Sequence, residues 1–264
     1  DNFTLSIDRV QGDPFASPSR LSIRIDHSHS LIDSGLFSNT SRRTGSETFL
    51  ALAFSSACHR EQISLGSGKS GRLEIDTPGQ EILKRTCVEI SKTETTVRFS
   101  VGLPANGRRI LGKAAIRLLT ETLPQIVSQA LVLSGDDLTG ICSFADTNED
   151  ADDLRSQLED HRLVAFIADG AILPRTTGID QRPLSNAIPF QSPASQRVRL
   201  TVPHAGEISG MGISDGITLI VGGGYHGKST LLNALERGVY NHIPGDGREH
   251  VVARSDATKV RAED

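Results

Sequence analysis

The sequence predicts an α/β protein in two parts: an α+β N-terminal domain, then a second part in which strands lead through a Gly-rich loop into a helix. Three observations carry this. Segments with strand period alternate with segments of helical period up to about residue 172. A stretch over 173–196 is punctuated by Pro174, Pro183, Pro189 and Pro193 and has little periodicity. Beyond it, a β-branched run leads into a Gly-rich loop and an amphipathic segment, over 217–237. The expected division is therefore domain 1–172, linker 173–196 and core 197–264.

The first segment, "FTLSIDRVQGDPFASPSRLSIRID", alternates apolar and polar residues on both sides of a turn over Gly12–Pro18, which predicts two strands. "SETFLALAFSSACHREQ" has helical period, with Ser46 as the expected N-cap and Gln62 near its end. "GRLEID", "CVEI" and "TTVRFSV" read as strands. Arg108 to about Leu133 reads as a helix interrupted at Pro124. Asp146 and Thr147 are expected to cap a second helix, with the acids at Glu149–Asp153 in its solvated first turn. "LVAFIA" is a short buried strand, assigned to the first domain. "RVRLTVPHAGEISGMGISDGITLIV" reads as strand, turn, strand, turn and a further strand over 217–221.

The bulk numbers narrow the function. A net charge of −4 and a pI near 6.1 argue against a dominant basic nucleic-acid face. Trp is absent and aromatics make up 4%, so base-stacking platforms are sparse. Cys58, Cys87 and Cys142 are far apart and odd in number, which fits a reducing, cytoplasmic setting without a disulfide framework. No apolar run reaches the length of a membrane span, and no signal peptide is visible. The single methionine is Met211 and the chain begins at Asp1, so it is expected to be trimmed.

Gly222, Gly227, Lys228 and Ser229 satisfy G-x-x-x-x-G-K-[ST]. A polyphosphate needs several backbone N–H groups converging on it, and Gly lets the backbone come that close. A helix starting at Lys228 would add its positive end. The motif itself puts expected phosphate contacts at Gly222, Gly227, Lys228, Ser229 and Thr230. Lys228 would sit on the β- and γ-phosphates of ATP, Ser229 would ligate Mg²⁺, and Thr230 would donate to a nearer phosphate. A rival reading uses Gly222, Gly224 and Gly227 as GxGxxG, with Asp246 as the acid of a dinucleotide site. Lys-Ser-Thr after the last Gly favours the triphosphate.

"GSGKSG" at Gly66–Gly71 has the look of a second phosphate loop but carries Ile63 where the first Gly belongs. It is either a flexible turn or a loop whose Lys69 reaches an anion. Gly212–Gly216 matches G-x-S-x-G but falls in a turn between strands, so it is assigned to turn chemistry. His27 and His29 lack the companions a metal site needs. Lys69, Arg108 and Arg109, with Arg42, Arg43 and Arg85, could line a basic cleft for RNA or DNA, or be scattered surface charges.

The run "GEISGMGISDGITLIVGGGYHGKSTLLNALERGVYNHIPGDGREHVV" resembles the predicted ATPases of the ABC class. So do "SIDRVQGDPFASPSRL", "GSGKSG", "VGLPANGRRILGKAA" and "LVAFIADGAILPR". The resemblance spans essentially the whole chain. It implies a family-specific N-terminal domain and an ABC-type core, with ATP held between two copies in a homodimer and nucleotide contacts over the whole loop, Gly223, Gly224, Tyr225 and His226 included with Gly222, Gly227, Lys228, Ser229 and Thr230. It also implies that "NHIPGDGRE" is a hairpin on the core's antiparallel edge. The chain departs from the ABC pattern in three ways. No apolar run ending in Asp-Glu follows Ser229 to supply the Mg²⁺ acid and the catalytic carboxylate. The signature segment is missing. No aromatic near Val198–His204 offers itself to adenine, although His204 could substitute. These parts are expected beyond Asp264. The function expected is an ATP-binding hydrolase whose dimer closes on ATP. The alternatives are an RNA- or DNA-binding accessory protein switched by ATP, and a small-molecule kinase.

Overall fold

A computed structural model describes residues 3–61 and 66–260. Gln62 and Ile63, which enter the sequence reading, lie outside the described residues. The chain divides into two compact units: residues 1–77 with 84–142, and residues 78–83 with 143–264.

In the first unit, β1 (Phe3–Arg9) and β2 (Ser19–Asp26) form the expected antiparallel pair, and β2 continues the ladder onto β6 (Glu94–Val101). β3 (Leu73–Glu74) and β5 (Val88–Ile90) both pair with β6, at different heights along it. Strand alternation sends Leu21, Ile23 and Ile25 of β2 inward, with Val97 and Phe99 of β6. A four-residue turn of helix, α1 (His27–Ser30), follows β2.

Across that apolar face lies α2 (Thr40–Arg60), which buries Leu50, Phe54 and Ala57. Phe54 meets Phe99 at a ring-centroid distance of 5.1 Å. α2 begins six residues earlier than its expected cap. Asn39 is the N-cap, its side chain accepting from Arg42 N at 2.9 Å, while Ser46 is buried in mid-helix and donates to the Leu36 carbonyl.

Arg109 is not helical. β7 (Ala105–Asn106) and β8 (Arg109–Ile110) make a small hairpin, followed by α3 (Gly112–Arg117). A wider π-type turn over Leu118–Thr122 leads into α4 (Leu123–Leu131). Pro124 sits in the first turn of α4, where a missing N–H costs nothing, so the irregular turn precedes it. α5 (Asp136–Gln157) is one 22-residue helix. Asp146 and Thr147 lie within it and do not cap it. Asp136 and Asp137 occupy its first turn instead.

In the second unit, β9 (Leu163–Ala168), β10 (Arg197–Val202), β11 (Gly206–Ser214) and β13 (Val251–Ala253) form an antiparallel sheet in the order β10-β11-β9-β13. The strand read from sequence as part of the first domain is thus a central strand here. Phe166 and Val252 pack with Leu154 and Leu158, and α6 (Lys228–Arg237) places Ala234 against Ile167 and Val251. β12 (Asn241–His242) pairs with β4 (Glu81–Ile82), not with β13. "NHIPGDGRE" is therefore a connection between two separate strand pairings, not a hairpin.

Residues 217–221 do not form the expected strand. Ile217, Leu219 and Val221 are 103%, 80% and 73% exposed, and no strand among the described residues pairs with them. Their β-branched composition favours a pleated, paired environment, which is not supplied here.

Candidate phosphate-loop site

The loop before α6 is shaped by backbone conformations that few residues adopt. Gly227 is the N-cap of α6 with φ 78°, and Tyr225 is left-handed at φ 62° with its ring in solvent. No side chain caps the first turn of α6. Its leading N–H groups and the positive end of the helix dipole are left for an anion. Ser229 is exposed in that turn, and Thr230 is half-buried.

Within the loop, Gly223 N donates to His226 Nδ1 at 3.1 Å. Lys228 folds back and its Nζ donates to the Gly222 carbonyl at 2.5 Å and to the Gly223 carbonyl. The ammonium thus hangs over the concave side of the loop on two neutral acceptors. Exchanging these for phosphate oxygens would replace neutral acceptors with anionic ones and add ion pairing to the hydrogen bonds.

A cavity of about 320 Å³ opens beside the loop, bounded by His226, Lys228 and Thr230 on one side and by Pro174, Ile188 and Phe190 on another. Phe190 was not singled out in the sequence, because it stands alone in an aperiodic stretch. His204 is committed elsewhere: its Nε2 lies 2.7 Å from Glu149 Oε2, and its backbone N donates to Asp150 Oδ1 at 2.9 Å. Asp150 is 2% exposed and also accepts from Ala205 N. The acidic run is therefore not a solvated first turn. It ties the β10–β11 turn to mid-helix.

Asp169, which ends the apolar run of β9, is a bracket and not a free carboxylate. It accepts from Ser192 N at 2.5 Å, Ser192 Oγ at 3.0 Å and Ser209 Oγ at 2.8 Å, with Arg197 Nε at 3.4 Å. Burial by itself would raise its pKa. The Ser192 and Ser209 hydrogen bonds and the Arg197 charge outweigh that and hold the carboxyl below its ordinary range.

The other sequence candidates lie in the first unit. Ser67 N donates to the Ala105 carbonyl at 2.8 Å, and Gly107 N donates to Ser67 Oγ at 3.0 Å. The Gly66–Gly71 loop is therefore laced to the β7–β8 hairpin, which brings the segments of Lys69, Arg108 and Arg109 together. None of the three has an ion-pair partner among the described residues. The other arginines serve local structure: Arg42 Nε donates to the Gly35 carbonyl, Arg43 to the Phe37 carbonyl, and Arg85 pairs with Asp76 at 3.4 Å. Among the described residues, no helix is long and apolar enough to cross a membrane.

Comparison with known proteins agrees with this geometry. A family model described as "ATPase of the ABC class N-terminal" matches residues 1–134, and the P-loop domain of the same class matches residues 137–264. An uncharacterized protein of Methanocaldococcus jannaschii is 31% identical over 115 residues, covering 40% of this chain and 26% of that protein. The chain thus spans about a quarter of the length of that relative. With both halves matched and the phosphate loop formed at the head of α6, the chain belongs to the family of ATPases of the ABC class.

Proposed function

We propose that Gly222–Thr230 bind ATP with Mg²⁺, and that in the full-length protein nucleotide binding drives closure of a homodimer. The observation that carries this is Lys228, poised over the Gly222 and Gly223 carbonyls at the uncapped start of α6. The Lys228 ammonium would move to the β- and γ-phosphates, and the loop N–H groups would cradle them. Ser229 is exposed where a Mg²⁺ ligand is needed, and Thr230 reaches the nearer phosphate. The donor set therefore suits a Mg²⁺-triphosphate, which supplies the phosphoryl group that hydrolysis would transfer. The apolar cavity at Phe190 and Ile188 has room for the base. Hydrolysis requires a further carboxylate, which none of these residues is assigned to provide.

The test is calorimetric titration of the intact protein with Mg²⁺-ATP, beside Lys228→Ala. Saturable binding is expected, weakened roughly ten- to a hundredfold in the variant through loss of charge-assisted hydrogen bonds. Absence of binding to the folded wild-type protein would sink the reading.

A second reading, contact with RNA or DNA, is favoured by the unpaired Lys69, Arg108 and Arg109 on adjoining segments. It predicts oligonucleotide binding that weakens steeply with salt, with a shallower slope in the triple Ala variant. Salt-independent binding, or an unchanged slope, would remove it.

A further inference from the structure

A polar cavity of about 400 Å³ lies along α6, lined by Thr230, Asn233, Glu236 and Arg237 on the helix and by Arg175 and Arg248. Its charges do not balance. Arg248 is 2% exposed and makes no ion pair among the described residues. Its Nε and Nη2 both donate to the Leu173 carbonyl, a neutral acceptor. The Arg175 side chain is 8% exposed and takes the buried carboxylate of Asp246: its Nη2 lies 2.6 Å from Asp246 Oδ2, and its Nη1 donates to the Asp246 carbonyl. His242 Nδ1 lies 2.9 Å from the same oxygen without hydrogen-bond alignment, and neither ring nitrogen has a hydrogen-bond partner among the described residues. The remaining acids are engaged as well, Glu81 with Arg237 at 3.2 Å and Glu236 with Lys259 at 2.8 Å.

Of the Arg175 and Arg248 guanidiniums, only that of Arg175 pairs with Asp246. Burial, then the Arg175 charge, pull Arg248 down to about 10, so it remains charged at neutral pH in a place that disfavours the charge. A buried cation without a counter-ion is costly, and an anion that enters removes part of that cost.

We propose that the cavity between Arg175, Arg237 and Arg248 is a second anion site, which takes a phosphate dianion, free or carried on a small molecule. Arg248 lines the cavity, and a guanidinium offers the planar fork that phosphate oxygens favour. Arg237 closes the site from the rim, and Thr177 and Gln181 add polar groups. A volume of about 400 Å³ suits a phosphorylated small molecule. The site does not depend on the phosphate loop reading, although Thr230 lines both cavities.

The test begins from Lys228→Ala protein, so that the loop lysine contributes nothing. Inorganic phosphate and AMP are titrated by calorimetry into this protein and into two further versions of it. One adds Arg248→Gln. The other adds Asn233→Glu, which puts a carboxylate one turn before Arg237 on an exposed helix face and leaves the buried cluster intact. Saturable phosphate binding is expected in Lys228→Ala, weakened about tenfold or more by either addition. Tighter binding of AMP than of phosphate that Asn233→Glu also weakens assigns a carried phosphate, and equal binding, or AMP binding that Asn233→Glu leaves unchanged, assigns the free ion. No phosphate binding by folded Lys228→Ala protein overturns the proposal. So does binding that Asn233→Glu leaves unchanged, which decides the matter even where Arg248→Gln fails to fold.

Discussion

Asp169 illustrates how a residue that reads as catalytic can be structural. An apolar strand ending in Asp is the pattern of a metal-binding acid, but here both carboxylate oxygens are occupied by Ser192 and Ser209. Because its folded pKa is depressed, its contribution to stability is present above the unfolded value of about 3.9 and is lost as pH falls through the folded value. Asp169→Asn is therefore expected to lower the melting temperature at pH 7 and to flatten its fall below about pH 4. Parallel wild-type and variant curves across the acid range would refute this. Gly247 carries a different constraint. Its φ is 77°, and a Cβ built there would lie 2.6 Å from Ile172 Cβ. Gly247→Ala should cost about 1–3 kcal/mol in denaturant unfolding, from backbone strain with the clash added. The phosphate loop was legible because its residues follow a fixed spacing in sequence. Phe190 and Arg248 were not, since they reach their cavities only through tertiary packing.

At the scale of elements, local pattern located strands better than helix boundaries. β1, β2 and β6 follow from alternation, because one face of each is apolar. The start of α2 was missed because "TSRRTGS" is polar enough to read as loop, and Ser46 resembles a cap. The helix extends back to Asn39 because Asn39 satisfies the first-turn N–H of Arg42, and buried Ser46 finds the Leu36 carbonyl. Asn39→Ala is accordingly expected to cost about 1 kcal/mol, while Asn39→Ser, which keeps a capping oxygen, should cost little. Equal losses for the two substitutions would show that the side-chain cap is not the source. Residues 217–221 are the opposite case. Their composition is that of a buried strand, but a strand is stabilised by its neighbours, and among the described residues none pairs with it.

For the whole molecule, the two compact units are not consecutive in sequence. Residues 78–83 fall within the span of the first unit but belong to the second, where β4 pairs with β12. Sequence reading could not find this, since β4 and β12 are two residues each and carry no periodic signal. The pairing has energetic weight. Ile82 is 5% exposed, Asn241 opposite it donates to Asn148 Oδ1 at 2.8 Å and to Asp152 Oδ1 at 2.7 Å, and Ile243 N donates to the Gln80 carbonyl at 3.0 Å. Ile82→Ala should therefore destabilise the second unit by about 2–5 kcal/mol, as large-to-small changes in packed sites do. Hydrogen exchange is the discriminating measurement, because it reports protection unit by unit. Faster exchange is expected over 241–253 and at the end of α6, where Arg237 pairs with Glu81, with β2 and β6 unaffected, although residue 82 sits between segments of the first unit in sequence. Loss of protection in β2 and β6 instead would mean that β4 belongs energetically with the first unit.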